Sequence, residues 1–394
     1  MTLQECWLLP EGIEEVLPPQ AERLETLRRA VLDLFRSWGY ELVMPPFIEY
    51  LESLLTGMGH DLDLQTFKLI DQQTGRMMGI RADITPQVAR IDAHRLQRNT
   101  PTRLCYLGTV LHARPSRLNG GRSPLQMGAE LYGHAGIESD VEVIRLMLAA
   151  LALAGVSPVY LDLGHMGIFR GLATQARLDP ERESALFDLL QRKATTELAE
   201  RLREWKIPGR LRQMILALAE LNGNTDVLDD ARGRLRGTPT SVLRAVQALD
   251  DIAQALLRQE RGLRLHIDLA ELRGYHYHTG VMFAAYQQGR GQALALGGRY
   301  DDVGRVFGRA RPATGFSTDL RQLVQTGKVS DTEQRRILAP ATDDAKLRAV
   351  IARLRRRGEV VISAFPGQTV DAKAMGCDRQ LARVSGQWKV IKAK

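Results

Sequence analysis

The chain has 394 residues, enough for two or three domains with sizeable hydrophobic cores. Hydrophobic residues make up 44% and charged residues 25%, which excludes disordered and fibrous classes, and no stretch approaches the roughly 18 apolar residues of a membrane helix. The net charge of +8 is compatible with a nucleic-acid partner, an acidic protein partner or simple solubility.

The cysteines and the amino terminus indicate the compartment. Cys6, Cys105 and Cys377 are far apart and form no Cys-x-x-Cys pair, so neither a metal site nor a disulfide framework is predicted. The amino terminus has neither the basic nor the apolar region of a secretion signal. We therefore expect the protein to work in the reducing cytoplasm.

Strand signals joined by short turns dominate the first part of the chain. Apolar residues recur at helical spacing from about 21 to 37, which predicts an amphipathic helix that ends before Gly39. A second helix is predicted over Val141–Leu153. Strands are predicted over Tyr40–Met44, Phe67–Asp71, Met77–Ile80, Leu104–Leu111, Leu125–Tyr132 and Val159–Leu163. Because their connections are short, we expect an antiparallel sheet.

The composition changes twice in the second part of the chain. Leu, Ala, Arg and Glu dominate from about 167 to 259, which predicts a helical insertion. Strand signals resume at 263–269, 281–286 and 293–296, and beyond about 327 a single helix lies among three short strand signals. The predicted organisation is a core of residues 1–166 and 260–326, a helical insertion of 167–259, and a small α/β module of 327–394.

Two glycine-containing segments carry the strongest functional signals. Gly297-Gly298-Arg299-Tyr300-Asp301 combines charged and aromatic residues with glycines that permit close backbone approach to a ligand. Leu272-Arg273-Gly274-Tyr275-His276-Tyr277-His278-Thr279-Gly280 lets side chains converge around its first glycine. Both segments resemble motifs of the histidyl-tRNA synthetases, which are class II aminoacyl-tRNA synthetases. The alternative for the second segment is a polar strand end whose two histidines lack a third metal ligand.

The resemblance extends from about Leu9 to Gln325, apart from the insertion. It implies an α+β fold in which an antiparallel class II sheet is flanked by helices, with the insertion and the carboxy-terminal module attached. Gly39 to Tyr50 resembles the first class-defining motif, which implies a self-dimer through the core; the alternative is an ordinary turn from helix to strand. Arg103 to Gly133 aligns with the second class-defining motif without gaps.

The resemblance also implies a histidine pocket. Asp83 and Thr85 fall on the positions that bind and assist the amino group of histidine, although Asp83 is one methylene shorter than the glutamate of the family. The same two residues before Pro86 would also serve as a helix N-cap, and both roles can hold together. The full set of implied pocket residues is Asp83, Thr85, Gln126, Glu130, Arg273, Tyr277 and His278.

The positions that hold ATP in the synthetases are altered. The arginine that grips the α-phosphate falls on His112, and the arginine of the last helix that stacks on ATP falls on Gln322. A mostly neutral imidazole and an amide cannot supply fixed positive charge to a triphosphate. If the alignment has slipped by two residues, Arg114 is the phosphate ligand, but the change at Gln322 is independent of that alternative.

An amino-acid pocket without phosphate ligands predicts a protein that binds histidine and does not activate it. The chain is accordingly similar to the synthetase paralogues that serve as regulatory subunits of ATP phosphoribosyltransferase. This resemblance implies no cofactor, a hetero-octamer with a short-form catalytic subunit in the first step of histidine biosynthesis, and feedback inhibition by histidine at the inherited pocket or at an intersubunit site. The alternatives are a divergent active synthetase and a tRNA-binding pseudo-synthetase.

Overall fold

The structure, a computed structural model, describes residues 7–56, 60–114, 121–272, 278–327, 335–367 and 371–393. The chain forms two compact units, Met1–Val329 and Ser330–Lys394. Within the described ranges, no helix is both long enough and apolar enough to cross a membrane.

The first unit contains twelve α-helices and twelve strands among its described residues. The helices are α1 Gln20–Ser37, α2 Leu51–Leu55, α3 His60–Gln65, α4 Thr85–Arg90, α5 Ile137–Leu153, α6 Met166–Gln175, α7 Pro180–Gln191, α8 Thr195–Glu204, α9 Gly209–Glu220, α10 Val227–Arg234, α11 Thr240–Gln259 and α12 Leu320–Thr326. The strands are β1 Glu41–Leu42, β2 Ile48–Tyr50, β3 Phe67–Ile70, β4 Met77–Ile80, β5 Thr102–Thr109, β6 Leu125–Tyr132, β7 Val159–His165, β8 Asn222–Gly223, β9 Arg264–Asp268, β10 Val281–Gln287, β11 Ala295–Arg299 and β12 Ala313–Asp319.

A nine-stranded sheet organises this unit, in the order β1-β5-β6-β12-β11-β10-β7-β9-β8. Every neighbouring pair is antiparallel except β1 with β5 and β7 with β9. Strands β2, β4 and β3 form a separate antiparallel sheet, and β4 leads into the turn before α4. The predicted α+β class with an antiparallel sheet is confirmed.

One face of the large sheet is buried under helices. The apolar stripe of α1, Leu27, Val31 and Phe35, packs there, with the Phe35 ring edge-on to Phe316 of β12 at 6.1 Å between centroids. Phe316 is paired with Ala129 of β6, and successive residues of a strand face opposite sides. The residues that alternate with these two therefore present the other face of the sheet, where a ligand can approach.

The helices between Met166 and Gln259 share the hydrophobic core of the sheet. Helix α11 packs against α5 and α6 through a strongly amphipathic face. Its buried residues are Val242, Ala245, Val246, Leu249, Ile252, Ala253 and Leu256. Within this segment, Asn222–Gly223 pairs with β9 at the edge of the sheet.

Arg299, from the Gly-Gly-Arg-Tyr-Asp segment, ties β11 to the start of α5. Its guanidinium donates to Asp140 at 3.0 and 3.2 Å and to the carbonyl oxygens of His134 and Gly136. The stem of Arg299 lies so close to Gly280 that a methyl group there would meet it at 2.8 Å. This arginine therefore fixes the frame of the site instead of contacting a ligand.

The second unit is a four-stranded sheet with one helix. Its elements are β13 Arg336–Ala339, α13 Ala345–Arg356, β14 Val360–Ser363, β15 Arg379–Val384 and β16 Gln387–Lys392. The strand order is β14-β13-β15-β16, in which β13 is parallel to both neighbours and β15–β16 is an antiparallel hairpin. Leu347 of α13 is fully buried against this sheet.

Candidate functional site

The site lies on the open face of the large sheet, around strand β6. Gln126 and Glu130 are four residues apart on β6, so both side chains point to this face. The turn between β4 and α4 brings Asp83 and Thr85 to the same place. The structure therefore brings together four of the seven predicted pocket residues.

Asp83 and Gln126 are locked to each other. The Gln126 Nε2 donates to Asp83 Oδ1 at 2.7 Å, and its Oε1 accepts from the backbone N–H of Ile84 at 2.9 Å. The backbone N–H of Thr85 also donates to Asp83 Oδ1 at 3.0 Å. Asp83 thus organises the first turn of α4 while its carboxylate remains half-buried and in reach of a ligand.

Glu130 lies beneath this pair, with only 1% of its surface exposed. The hydroxyls of Tyr106 and Tyr300 donate to its two carboxylate oxygens, Tyr106 at 3.1 Å. The Tyr106 hydroxyl is also 2.8 Å from the Thr85 hydroxyl. A methyl group on Gly315 would overlap the Glu130 carboxylate, so glycine is required there. The network fixes the floor of the site and leaves Asp83 as the more accessible carboxylate.

Burial raises the pKa of Glu130 to about 8, and the charge of Asp83 adds to the rise, while the hydroxyls of Tyr300 and Tyr106 oppose it. In the unfolded chain this carboxyl ionises near pH 4.5. The stability that Glu130 contributes is therefore complete below pH 4.5 and is lost as the pH rises towards 8.

We expect Glu130→Gln, a permanently neutral isostere, to remove that loss. Between about pH 5 and pH 8 the free energy of unfolding of the wild-type chain should fall by a few kcal/mol relative to the variant. Urea denaturation across this range measures the difference. Glu138→Gln, on an exposed carboxylate of α5, is the control, and parallel pH profiles for wild type and Glu130→Gln would contradict the expectation.

A cleft of about 210 Å³ opens beside Gln126. It contains His112 and Gln322, the two positions that the resemblance predicts to be altered ATP ligands. The described lining is Ala82, Val110, His112, Pro124, Gln126, Ala293, Leu294, Ala295, Leu296, Ser317, Thr318, Asp319 and Gln322. Among these residues there is no lysine or arginine, and the one carboxylate is Asp319. The described part of the cleft therefore supplies no fixed cation for a triphosphate.

Two polar groups of the described lining, His112 and Asp319, are hydrogen-bonded to the backbone. His112 Nε2 lies 3.1 Å from the carbonyl oxygen of Ala82, and its backbone pairs with Arg122. Asp319 accepts from the backbone N–H groups of Leu125 and Arg321, both at 3.0 Å, and burial raises its pKa. Arg114 is exposed and is not part of the lining. His112, not Arg114, therefore occupies the cleft.

His278 shares the open sheet face with Glu130. A methyl on Gly298 would meet the His278 ring at 2.6 Å, and Gly298 is paired with Gly315, which borders Glu130. The other two predicted residues, Arg273 and Tyr277, lie outside the described residues. Among the described side chains, no group of three His, Cys, Asp or Glu residues is arranged to hold a metal ion.

A larger cavity, of about 850 Å³, lies elsewhere, between α1, α5 and α11. Arg103 on its wall makes two 2.7 Å bonds to Glu142, and Arg145 bonds to Glu260 at 2.6 Å. These two arginines are already paired with carboxylates, and none of the predicted pocket residues that the structure describes lines this cavity. We therefore place the functional site at the smaller cleft.

Some residues of the site were not among those predicted. Tyr106 and Tyr300 lie within segments that resemble family motifs, and no role was predicted for Ser317 or Asp319. The available signal was the polar or aromatic residue next to a motif glycine, as in Tyr106-x-Gly108. Which of these side chains would meet could not be predicted, because it depends on the register between β5, β6, β11 and β12.

Two known protein families match this chain. The family described as Histidyl-tRNA synthetase matches residues 12–323, and that described as ATP phosphoribosyltransferase subunit HisZ C-terminal domain matches residues 334–391. An ATP phosphoribosyltransferase regulatory subunit of Thioalkalivibrio sulfidiphilus (strain HL-EbGR7) is 61% identical over 392 residues, which cover 99% of both chains.

Solved structures share this fold at lower sequence identity. An ATP phosphoribosyltransferase regulatory subunit/histidyl-tRNA synthetase from Bacillus halodurans C superposes with a TM-score of 0.81 and 28% identity, over 94% of this chain and 95% of that one. Histidyl-tRNA synthetase from Nostoc sp. PCC 7120 superposes with a TM-score of 0.80 and 17% identity, over 98% and 97%. The predicted class II synthetase-like fold is confirmed.

Proposed function

The chain belongs to the family of ATP phosphoribosyltransferase regulatory subunits, built on a histidyl-tRNA synthetase core, and we propose that this core serves as a histidine sensor. As a regulatory subunit in histidine biosynthesis, it is not itself the catalyst. The sensor is the pocket of Asp83, Thr85, Gln126 and Glu130, completed by Arg273, Tyr277 and His278.

One observation carries the proposal: the amino-acid side of the site is assembled while the nucleotide side lacks positive charge. The half-buried Asp83 carboxylate, held by Gln126 at 2.7 Å, can accept an ammonium group. The adjoining cleft offers an imidazole, an amide and a carboxylate, and no described lysine or arginine. Adenylation needs fixed positive charge on the phosphates, so bound histidine would stay unreacted.

Binding can regulate an assembly if histidine prefers one of its conformations. A ligand shifts an equilibrium only by its differential affinity for the two states. A coupling of roughly 1–3 kcal/mol would give useful feedback. We propose that histidine in this pocket shifts the complex to a less active state, which would make the subunit allosteric.

The partner in this proposal is a short-form catalytic subunit, joined in a hetero-octamer. The regulatory chain would also pair with a second copy through its first class-defining motif. Support comes from apolar side chains around edge strand β1 and strand β2, of which Met44 is 80% exposed. The others in this patch are Leu42, Phe47, Ile48 and Tyr50. We place the complex in the cytoplasm, which suits the unoxidised thiols of Cys105 and Cys377.

Reconstitution tests the proposed function. The full chain and a short-form ATP phosphoribosyltransferase catalytic subunit should co-purify, and the mixture should join ATP to phosphoribosyl pyrophosphate at a rate that neither protein reaches alone. Histidine should inhibit the mixture. A catalytic subunit that is equally active and equally inhibited without this chain would overturn the proposal.

A further inference from the structure

The positive charge of the chain is concentrated in its second unit. Residues 330–394 contain 14 lysines and arginines against 7 aspartates and glutamates, a net charge of +7. The whole chain has 54 basic and 46 acidic residues, which leaves 40 and 39 for residues 1–329. The large synthetase-like unit is therefore close to neutral, and the small unit carries almost all of the excess.

Few basic residues of the second unit form ion pairs with its acidic residues. In residues 335–367 and 371–393, every ion pair is made by one of two arginines: Arg348 with Asp343, and Arg379 with Glu359 and Asp378. Asp344 instead accepts from the indole of Trp388 at 2.7 Å and from the start of α13. Of the remaining cations, Arg335 acts electrostatically on Glu359 and Arg383 on Asp344, and the others form no ion pair with a carboxylate described in these ranges.

Helix α13 displays the densest group of these cations. Its buried stripe is built on Leu347, Val350, Ile351 and Leu354. Lys346 and Arg353 are exposed along one flank, and Arg357, the C-cap residue, continues that row past the end of the helix. Arg356 is exposed on the outermost line. Arg355 is exposed on the other flank and reaches the carbonyl oxygen of Val361 at 2.9 Å.

We propose that the exposed side of α13 is an electrostatic docking surface for an acidic face of the catalytic subunit. The inference rests on the proposed function and adds to it the element that meets the partner. Clustered exposed cations accelerate association with a complementary surface and fix its orientation. They cost little in folding stability because they remain hydrated in the free chain.

The helix favours a protein partner over RNA. The outermost line before Arg356 consists of Ala345, Ala349 and Ala352, all exposed, which lets another protein surface approach the backbone closely. Helix α13 contains no aromatic residue on which a base could stack. Binding of single-stranded nucleic acid commonly uses such stacking. A tRNA ligand is accordingly the competing outcome of the test.

The test reverses three charges in the full-length protein. Arg353→Glu, Arg356→Glu and Arg357→Glu, combined, should raise the dissociation constant for the catalytic subunit about tenfold or more at about 50 mM salt. The wild-type dissociation constant should rise with salt, and that of the variant should respond much less. Because glutamate near a helix C-terminus weakens the helix, the same three arginines changed to glutamine provide a second variant, with a smaller effect in the same direction.

The matched control is Arg203→Glu, Arg244→Glu and Arg261→Glu, which changes the net charge equally on exposed positions of the first unit. It should bind like the wild type. The inference is overturned if the α13 variants bind with unchanged affinity and salt dependence, if the control weakens binding as much, or if α13 reversal abolishes salt-dependent tRNA binding and leaves the complex intact. A wild-type chain that does not bind the catalytic subunit would instead overturn the proposed function.

Discussion

Purified protein is expected to show no histidine-dependent exchange of pyrophosphate into ATP above a control without enzyme. In the exchange reaction, the α-phosphate and the leaving pyrophosphate must be held in line while negative charge develops on them. The cleft next to Gln126 offers His112 and Gln322 where the synthetases place arginines. The half-buried Asp319 carboxylate adds negative charge to the same cleft.

The size of the effect follows from the two missing charges. Each fixed cation at a developing charge contributes several kcal/mol, so losing two lowers the rate by several powers of ten. Arg81 is buried and bonded to the carbonyl oxygens of Thr109 and Pro45, and Arg122 is bonded to that of His112. Arg321, whose charge acts on Asp319, lies outside the described cleft lining, with its guanidinium 3.4 Å from the carbonyl oxygen of Glu14.

A gain-of-function variant makes this expectation sharper. His112→Arg with Gln322→Arg should bind ATP with magnesium more tightly than the wild type, by about tenfold or more, because both side chains already face the cleft. Exchange by the unmodified chain at a rate comparable with an active histidyl-tRNA synthetase would contradict the account. Equilibrium binding of labelled ATP with magnesium compares the affinity of the variant with that of the wild type. Filter assays with labelled pyrophosphate measure the exchange rate of both proteins under the same conditions.

The central strands show what the sequence could predict about the fold. Met77–Ile80 and Leu125–Tyr132 have the predicted bounds, because dense apolar residues flanked by turns identify a buried strand. Strand β12, Ala313–Asp319, was not predicted, although it joins β6 to β11. Its alanine, glycine and aspartate are depleted in strands, and pairing with the neighbouring strands decides its conformation.

The second unit shows the same limit. Strand β15, Arg379–Val384, was not predicted, because only Leu381 is buried and the positions around it are polar. Antiparallel pairing with β16 supplies the backbone hydrogen bonds of β15, and the sequence of β15 alone does not predict this pairing. By contrast, the apolar stripe of α13 recurs at helical spacing, which is why a single helix could be predicted in this unit.

The candidate site could be predicted in part. Motif positions identified Asp83, Thr85, Gln126 and Glu130, and the fold brings these four together. The sequence could not reveal that the hydroxyls of Tyr106 and Tyr300 donate to the Glu130 carboxylate. Tyr106 lies on β5, Glu130 on β6 and Tyr300 just after β11, so the contact depends on how these distant segments pair in the sheet. The bond between Asp83 and Gln126 likewise depends on how the turn before α4 rests on the sheet.

Gln126→Ala should weaken feedback inhibition strongly while leaving the complex active. The variant loses a polar group of the pocket and also frees the Asp83 carboxylate, which Gln126 holds at 2.7 Å. A hydrogen bond to a charged group contributes about 1.5–3 kcal/mol, which corresponds to an increase of about tenfold to hundredfold in the histidine inhibition constant. Gln380→Ala, a half-exposed glutamine on a strand of the second unit, is the matched control.

The most direct measurement is therefore the histidine inhibition constant of the reconstituted ATP phosphoribosyltransferase, with wild-type, Gln126→Ala or Gln380→Ala regulatory chains. We predict full activity without histidine in all three, and weakened inhibition with Gln126→Ala alone. Inhibition by histidine at the wild-type concentration in the Gln126→Ala complex would contradict a sensor located in the inherited pocket.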